Sequence, residues 1–246
     1  MIIRADLHIH SCLSPCGDLS MSPRAIAGTL ASRGVNLAAL TDHNSALNCP
    51  AFDFACREAG IAALFGIEAQ TREECHMLCL FAEPETALKL GEELYAVMPP
   101  VPNNPGKMGD QVYVDENEDI LGEVEKYLVT SADIGIDELA DRVHELGGIA
   151  VPAHADRPAF SLVSQLGFIP EGNWDALELV RLPLSEPAAR ELDTRGYPLI
   201  TSSDAHYIEH LARRPFDLDI ADAPLLRADG RVDMETIRAA LARRPR

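Results

Sequence analysis

The chain has 246 residues, 47% of them apolar and 24% charged, a mix that supplies a sizeable core and excludes a disordered polymer. Its net charge of −18, from 39 acids against 21 bases with no lysine or arginine stripe, argues against long polyanions, so no general nucleic-acid binding is expected. No uncharged stretch exceeds 13 residues, and the two of that length (94–106 and 158–170) contain proline, so no membrane span is expected.

Short apolar runs rich in Val, Ile, Leu and Ala at 2–7, 36–41, 61–67, 76–82, 148–153, 176–181 and 197–202 read as buried strands. Between most of them lie helical patterns at 23–33, 48–58, 84–97, 136–146 and 185–194, with a last one at 233–243. Ser22 followed by Pro23 gives the first helix an N-cap and a proline at its first position. Repeated β-α alternation with near-continuous apolar strands predicts a parallel sheet, and seven such strands predict a closed barrel. The expectation is an α/β chain forming one domain over 1–246. The exception is 99–130, which opens on Pro-Pro-Val-Pro-Asn-Asn-Pro-Gly and carries seven acids from Asp110 to Glu125. It reads as an excursion, either a hairpin lid or a solvated acidic loop.

Histidines and carboxylates gather where strands end. His8 and His10 close the first strand in Asp6-Leu-His-Ile-His, and residues two apart on a strand face one way, so both imidazoles can reach one ion. Asp42 and His43 close the second strand, Glu68 the third and His154 the fifth, while Asp204 and His206 close the seventh; His76 opens the fourth. In a parallel barrel the C-terminal strand ends form one rim, where barrel active sites are built. Mixed imidazole and carboxylate donors suit Mn²⁺, Fe²⁺ or Zn²⁺, and so many candidates imply two or three divalent ions. His144, inside an amphipathic helix, and His210, in an Ala/Arg-rich loop, read as bystanders. The six cysteines read as free thiols of a cytoplasmic protein, and their C-x3-C spacings are not those of a zinc ribbon.

The motifs Asp6-Leu-His-Ile-His-Ser, Leu40-Thr-Asp-His-Asn, Gly66-Ile-Glu with His76 after it, Ala153-His and Ser203-Asp-Ala-His stand in the order of the PHP family, whose name joins polymerase and histidinol phosphatase. The chain resembles that family over 6–206. The resemblance implies a distorted (β/α)7 barrel with a metal site at the C-terminal rim of the strands. It further implies that His8, His10, Glu68 and Asp204 hold one ion, and that Glu68 bridges to a second held by His76 and His154. A third would take His43, His206 and a residue shortly after the first motif. Asp18 is the expected residue there, since the family commonly uses oxygen or imidazole at that place, with Cys16 as the alternative.

What the resemblance implies chemically is a metal-dependent phosphoesterase acting on a small phosphorylated substrate. A metal-activated hydroxide would attack phosphorus in line while the ions neutralise the oxygens. Dications would also make an anion site inside an acidic protein. Asp204 and His206 of the last motif are the expected catalytic centre. Arg157 and Arg181 follow strand ends on the same rim and read as holders of the substrate phosphate. Asp42 and Asp156 read as carboxylates that orient imidazoles. A nucleotide or nucleoside bisphosphate is the expected substrate. Two other readings stay open: an amidohydrolase-like hydrolase, which would want a bridging lysine at a strand end, and a non-catalytic metal-binding regulatory module. None of Lys89, Lys107 and Lys126 falls at a strand end.

Overall fold

A computed structural model gives the structure of residues 1–243. Six strands form a curled sheet in the order β10-β1-β2-β3-β4-β7, made of β1 (Ile2–Asp6), β2 (Leu37–Leu40), β3 (Ala62–Gln70), β4 (His76–Phe81), β7 (Ile149–Pro152) and β10 (Phe216–Asp219). A parallel pair, β8 (Leu177–Glu178) and β9 (Leu199–Ile200), carries the circuit on. Asp175 N–H donates to Ala150 O and Ala155 N–H to Glu178 O, tying β8 to β7. Beyond β9 the chain returns to β1, where Ile9 bridges Ala205 and His10 N–H donates to Ala205 O at 3.0 Å. The seven expected strands therefore follow one another around a distorted barrel.

The barrel is not wholly parallel. β4 runs antiparallel to both β3 and β7. Only five residues, 71–75, separate β3 from β4. A parallel return needs a crossover of a dozen residues or more, so this connection can only be a hairpin. The reversal is what brings the start of β4 to the rim: Gln70 pairs with His76 and Glu68 with Leu78. Gly66 makes the close pairing feasible, since a Cβ there would stand 2.5 Å from Cys79 O. A strand absent from the expected set, β10, pairs antiparallel with β1 and covers its edge.

The helices fall where the patterns place them: α1 (Pro23–Ser32), α2 (Cys49–Ala59), α3 (Pro84–Val97), α5 (Ile136–Glu145), α7 (Glu186–Glu191) and α8 (Met234–Ala242). Ser22 caps α1 by accepting the Ala25 N–H. Two short helices, α4 (Pro105–Met108) and α6 (Leu162–Leu166), were not expected. The excursion contains the hairpin β5 (Val112–Val114) and β6 (Ile120–Glu123). Strand alternation divides the core in two. Leu64, Leu78, Leu80, Val151 and Ile200 pack inside the barrel with Ile237 and Leu241 of α8. Phe65, Ile67, Met77 and Cys79 pack outward in the layer that contains Phe52, Leu90 and Leu139 of the helices. At the rim the inward positions of β3 and β4 change character, to Glu68 and His76.

Candidate metal centre

Glu68 is the hub of the rim. Its carboxylate lies 2.7 Å from His76 Nδ1, 2.9 Å from His154 Nε2, 3.0 Å from His43 Nδ1, and 3.3 Å from both His8 Nε2 and His10 Nε2. Asp204 Oδ1 stands 3.5 Å from the same nitrogens of His8 and His10, and 3.6 Å from His206 Nδ1. Six imidazoles thus converge with two carboxylates, all but Asp204 and His206 fully buried. His154 (φ 30°) and Asp204 (φ 49°) hold left-handed backbone conformations, a strain that non-glycine residues accept where surrounding contacts enforce it.

The charges are strongly coupled. Burial alone would raise the Glu68 carboxyl, but His76, His8 and His43 drive it well below the usual range. Burial opposes protonation of His8, and Glu178, Glu68 and Asp204 overcome it, raising His8 well above its ordinary value. His10 and His43 likewise rise to about 9 against their burial, His10 through Asp204 and Glu68, His43 through Glu68. At His76 and His206 burial wins, and they fall to about 4 and about 3.

The donors fit divalent ions. Three groups each place their donor atoms within 4.8 Å of one another: His8, His10 and Asp204; His43, Glu68 and His76; His10, His43 and His206. The Nε2 atoms of His8 and His10 meet at 3.1 Å, close enough for both to serve one cation. His43 Nδ1 and His154 Nδ1 are buried without a hydrogen-bond partner. Imidazole and carboxylate without thiolate at the hub suit borderline ions of the zinc, iron and manganese kind.

The supporting contacts differ from the expected ones. Glu178, not singled out in the sequence, accepts from His8 Nδ1 at 2.9 Å and from the His154 backbone N–H at 2.9 Å. Its signal was a lone acid in the apolar run Ala176-Leu-Glu-Leu-Val. Asp42 accepts from Ser11 and Ser14, and Ser14 Oγ lies 2.9 Å from His10 Nδ1, so Asp42 orients His10 rather than its neighbour His43. Asp156 accepts the Val180 N–H and touches no imidazole. Arg157 approaches Asp204 at 3.4 Å, whereas Arg181 is exposed. Asp18 is not brought to the cluster: its exposed carboxylate accepts the Ser20 N–H. His144 pairs with Asp175, and His210 stacks edge-on with Tyr207, both away from Glu68.

A PHP-domain family model matches residues 6–148, more than half of the chain. The chain belongs to the PHP family. That family is one of metal-dependent hydrolases. Among solved structures, the lesion-specific endonuclease EndoQ of Pyrococcus furiosus superposes with a TM-score of 0.68 at 20% identity, covering 98% of this PHP chain and 56% of the endonuclease. This chain therefore spans little more than half of that protein. A Bifidobacterium adolescentis protein named as a metal-dependent phosphoesterase superposes at 0.56 and 19% identity, covering 98% and 96% of the two chains. An amidohydrolase of Chromobacterium violaceum gives 0.53 at 19% identity, covering 89% and 92%. These likenesses carry the barrel fold. No curated protein matches the PHP chain by sequence, and among its described residues no helix is long and apolar enough to cross a membrane.

Proposed function

We propose that the chain hydrolyses a small phosphomonoester, a nucleotide or a nucleoside bisphosphate, with two or three Mn, Fe or Zn ions held at the rim. The observation that carries this reading is the Glu68 carboxylate within 3.3 Å of five imidazoles, the position of a carboxylate that bridges ions. His8, His10 and Asp204 would hold one ion with Glu68, Glu68 with His76 and His154 a second, and His43 with His206 a third. Bound ions supply hydroxide near neutral pH and neutralise charge on the phosphoryl oxygens.

The chain's own residues do the rest. Asp204 and His206, on the loop after β9, face the cluster from its partly open side, so the reacting phosphoryl group meets them there. Arg157, 3.4 Å from Asp204 and partly exposed, is placed to clamp a substrate phosphate. Glu178 fixes the His8 ring through Nδ1, leaving Nε2 for an ion. A net charge of −18 favours a small anion over duplex DNA, and free thiols fit a cytoplasmic setting. Nothing at the site favours the amidohydrolase-like chemistry that bridges ions through lysine: Lys126 is committed to Tyr95 O and Met98 O, and Lys89 and Lys107 lie on helices. The test is phosphate release by Mn²⁺-loaded protein across phosphomonoesters, nucleoside bisphosphates, phosphodiesters and oligonucleotides, beside a chelated control. Chelator-sensitive release from the small monoesters is expected; silence with ions confirmed bound would overturn the reading.

A further inference from the structure

A cavity of about 380 Å³ opens outside the rim, between α3, the segment after His43 and the β5–β6 hairpin, and none of the metal-centre donors lines it. Helix α3 divides its side chains. Ala87, Leu90 and Leu94 are buried in the core, whereas Leu88, Glu92 and Tyr95, four and three residues apart, line the cavity. Gly91 lets the helix approach, since a Cβ there would already stand 3.4 Å from Ala46 N and from the Ile67 side chain. The facing wall is fixed independently. Asn44 Nδ2 donates to Leu128 O and Thr130 O, both at 2.8 Å, and Asn103 N–H donates to Glu125 O at 2.7 Å. Lys126 Nζ then ties this wall to the end of α3 by donating to Tyr95 O and Met98 O. The cavity is therefore preformed.

Its chemistry is opposite to that of a phosphate site. The buried part of the lining is apolar, with Ala46 and Val124 behind half-buried Leu88, Tyr95 and Tyr113. At the exposed edge stand Glu92, Glu123 and Glu125. Among the described residues these three carboxylates have neither an ion pair nor a hydrogen bond, although Glu93, the next residue on α3, takes Arg142. The hydroxyls of Tyr95 and Tyr113 are equally without partners there. No lysine, arginine or histidine lines the cavity. A phosphorylated molecule is repelled by such a lining. An organic cation is attracted, its body by the apolar surface and its charge by the carboxylates and aromatic rings.

We propose that this cavity binds an organic ammonium ion, a protonated amine carried on an aromatic or alkyl body. The body packs against Leu88, Tyr95 and Tyr113, and the ammonium donates to the carboxylates at the mouth. The site uses neither the ions nor the substrate of the rim, so it stands or falls apart from the phosphoesterase reading. The test is isothermal titration of the full-length, metal-loaded chain with three indoles that differ in charge: tryptamine, 3-methylindole and indole-3-acetate. Tryptamine should bind at least about tenfold more tightly than neutral 3-methylindole, and anionic indole-3-acetate most weakly. Replacing all three acids, Glu92→Gln, Glu123→Gln and Glu125→Gln, should abolish the preference for tryptamine. Ala96→Phe, which fills the cavity from an exposed position of α3, should abolish its binding. Unchanged unfolding midpoints check that both variants fold. No tryptamine binding, or equal affinity for the three indoles, would overturn the proposal. So would binding that survives Ala96→Phe, which would place the amine elsewhere, the rim ions included. Binding of an arginine-containing peptide with tryptamine silent would replace the small amine by a protein partner and overturn it as well.

Discussion

Two clusters of charged side chains sit towards opposite ends of β3, one beside Ala62 and Ala63 and one around Glu68, and they differ in whether they are complete. At the strand's start, Arg231 donates to Asp53 at 2.8 Å and pairs with Glu83 at 2.9 Å. Asp53 also receives Arg57, Glu83 also receives Arg227, and Arg227 reaches Asp229. Every acid there has its guanidinium. At the strand's other end Glu68 and Asp204 face six imidazoles, two imidazole nitrogens meet head-on, and His43 Nδ1, His154 Nδ1 and Glu178 Oε1 are buried without hydrogen bonds. The first cluster closes on itself and is structural. The second is closed only by cations from outside, so incompleteness rather than charge density marks the functional end.

That contrast is broken most severely at Glu68. Glu68→Ala removes the one group shared by five imidazoles. It should lose more than one metal equivalent per chain by elemental analysis, with turnover falling at least about 10³-fold. Loss of no metal would sink the bridging role. Glu178→Gln acts one layer out. The amide oxygen can still accept from His8 Nδ1 and the His154 N–H, but without the charge that holds the His8 ring. Metal affinity should fall about 10-fold, the lower end for groups that support a ligand, as read by competition with a chelator. An unchanged affinity would mean that packing alone orients His8.

The sequence carried most of this centre because strand-end ligands announce themselves: an H-x-H pair, an Asp-His and a Ser-Asp-Ala-His each follow an apolar run. It carried the barrel for the same reason, since buried strands and amphipathic helices have separate periods. The reversal of β4 was hidden because an apolar run has no direction; only the five-residue link before His76 encoded it. β10 was hidden because Phe216-Asp-Leu-Asp alternates, as a half-exposed strand does, unlike the apolar runs of the barrel. Glu178 and the Ser14 link from Asp42 to His10 depend on contacts between residues 170 and 28 positions apart in sequence, which no local pattern records. Asp18 and Cys16 share one short loop, and only its turns send the Asp18 carboxylate to the Ser20 N–H.

The completed cluster should respond in the opposite way to the centre. Arg231→Met keeps the side chain's length over the Phe65 ring but removes a guanidinium that is mostly buried between Asp53 and Glu83. Each acid retains one arginine, so the loss should be about 2 kcal/mol of stability rather than the 3–5 of a fully stranded buried charge. Denaturant unfolding would read it, with metal content unchanged. A fall in metal content would mean that the two ends of β3 are coupled.

The smallest effect belongs to a pair that is complete and exposed. Arg142 grips Glu93 with two hydrogen bonds, at 2.8 and 2.6 Å, and this holds the Glu93 carboxyl below its usual range. A depressed carboxyl stabilises the fold above its unfolded pKa and loses that contribution as pH falls through the folded value. Glu93→Gln should therefore be less stable than the wild type near neutral pH, and the two should converge in acid. Glu93 is 39% exposed, so water and salt screen the pair and the neutral-pH difference should not exceed about 0.5 kcal/mol. In a chain of this length that is a shift of about 1–2 °C in Tm. A cost equal to that of Arg231→Met would show that completeness alone sets the worth of an ion pair; the smaller cost would show that burial sets its scale.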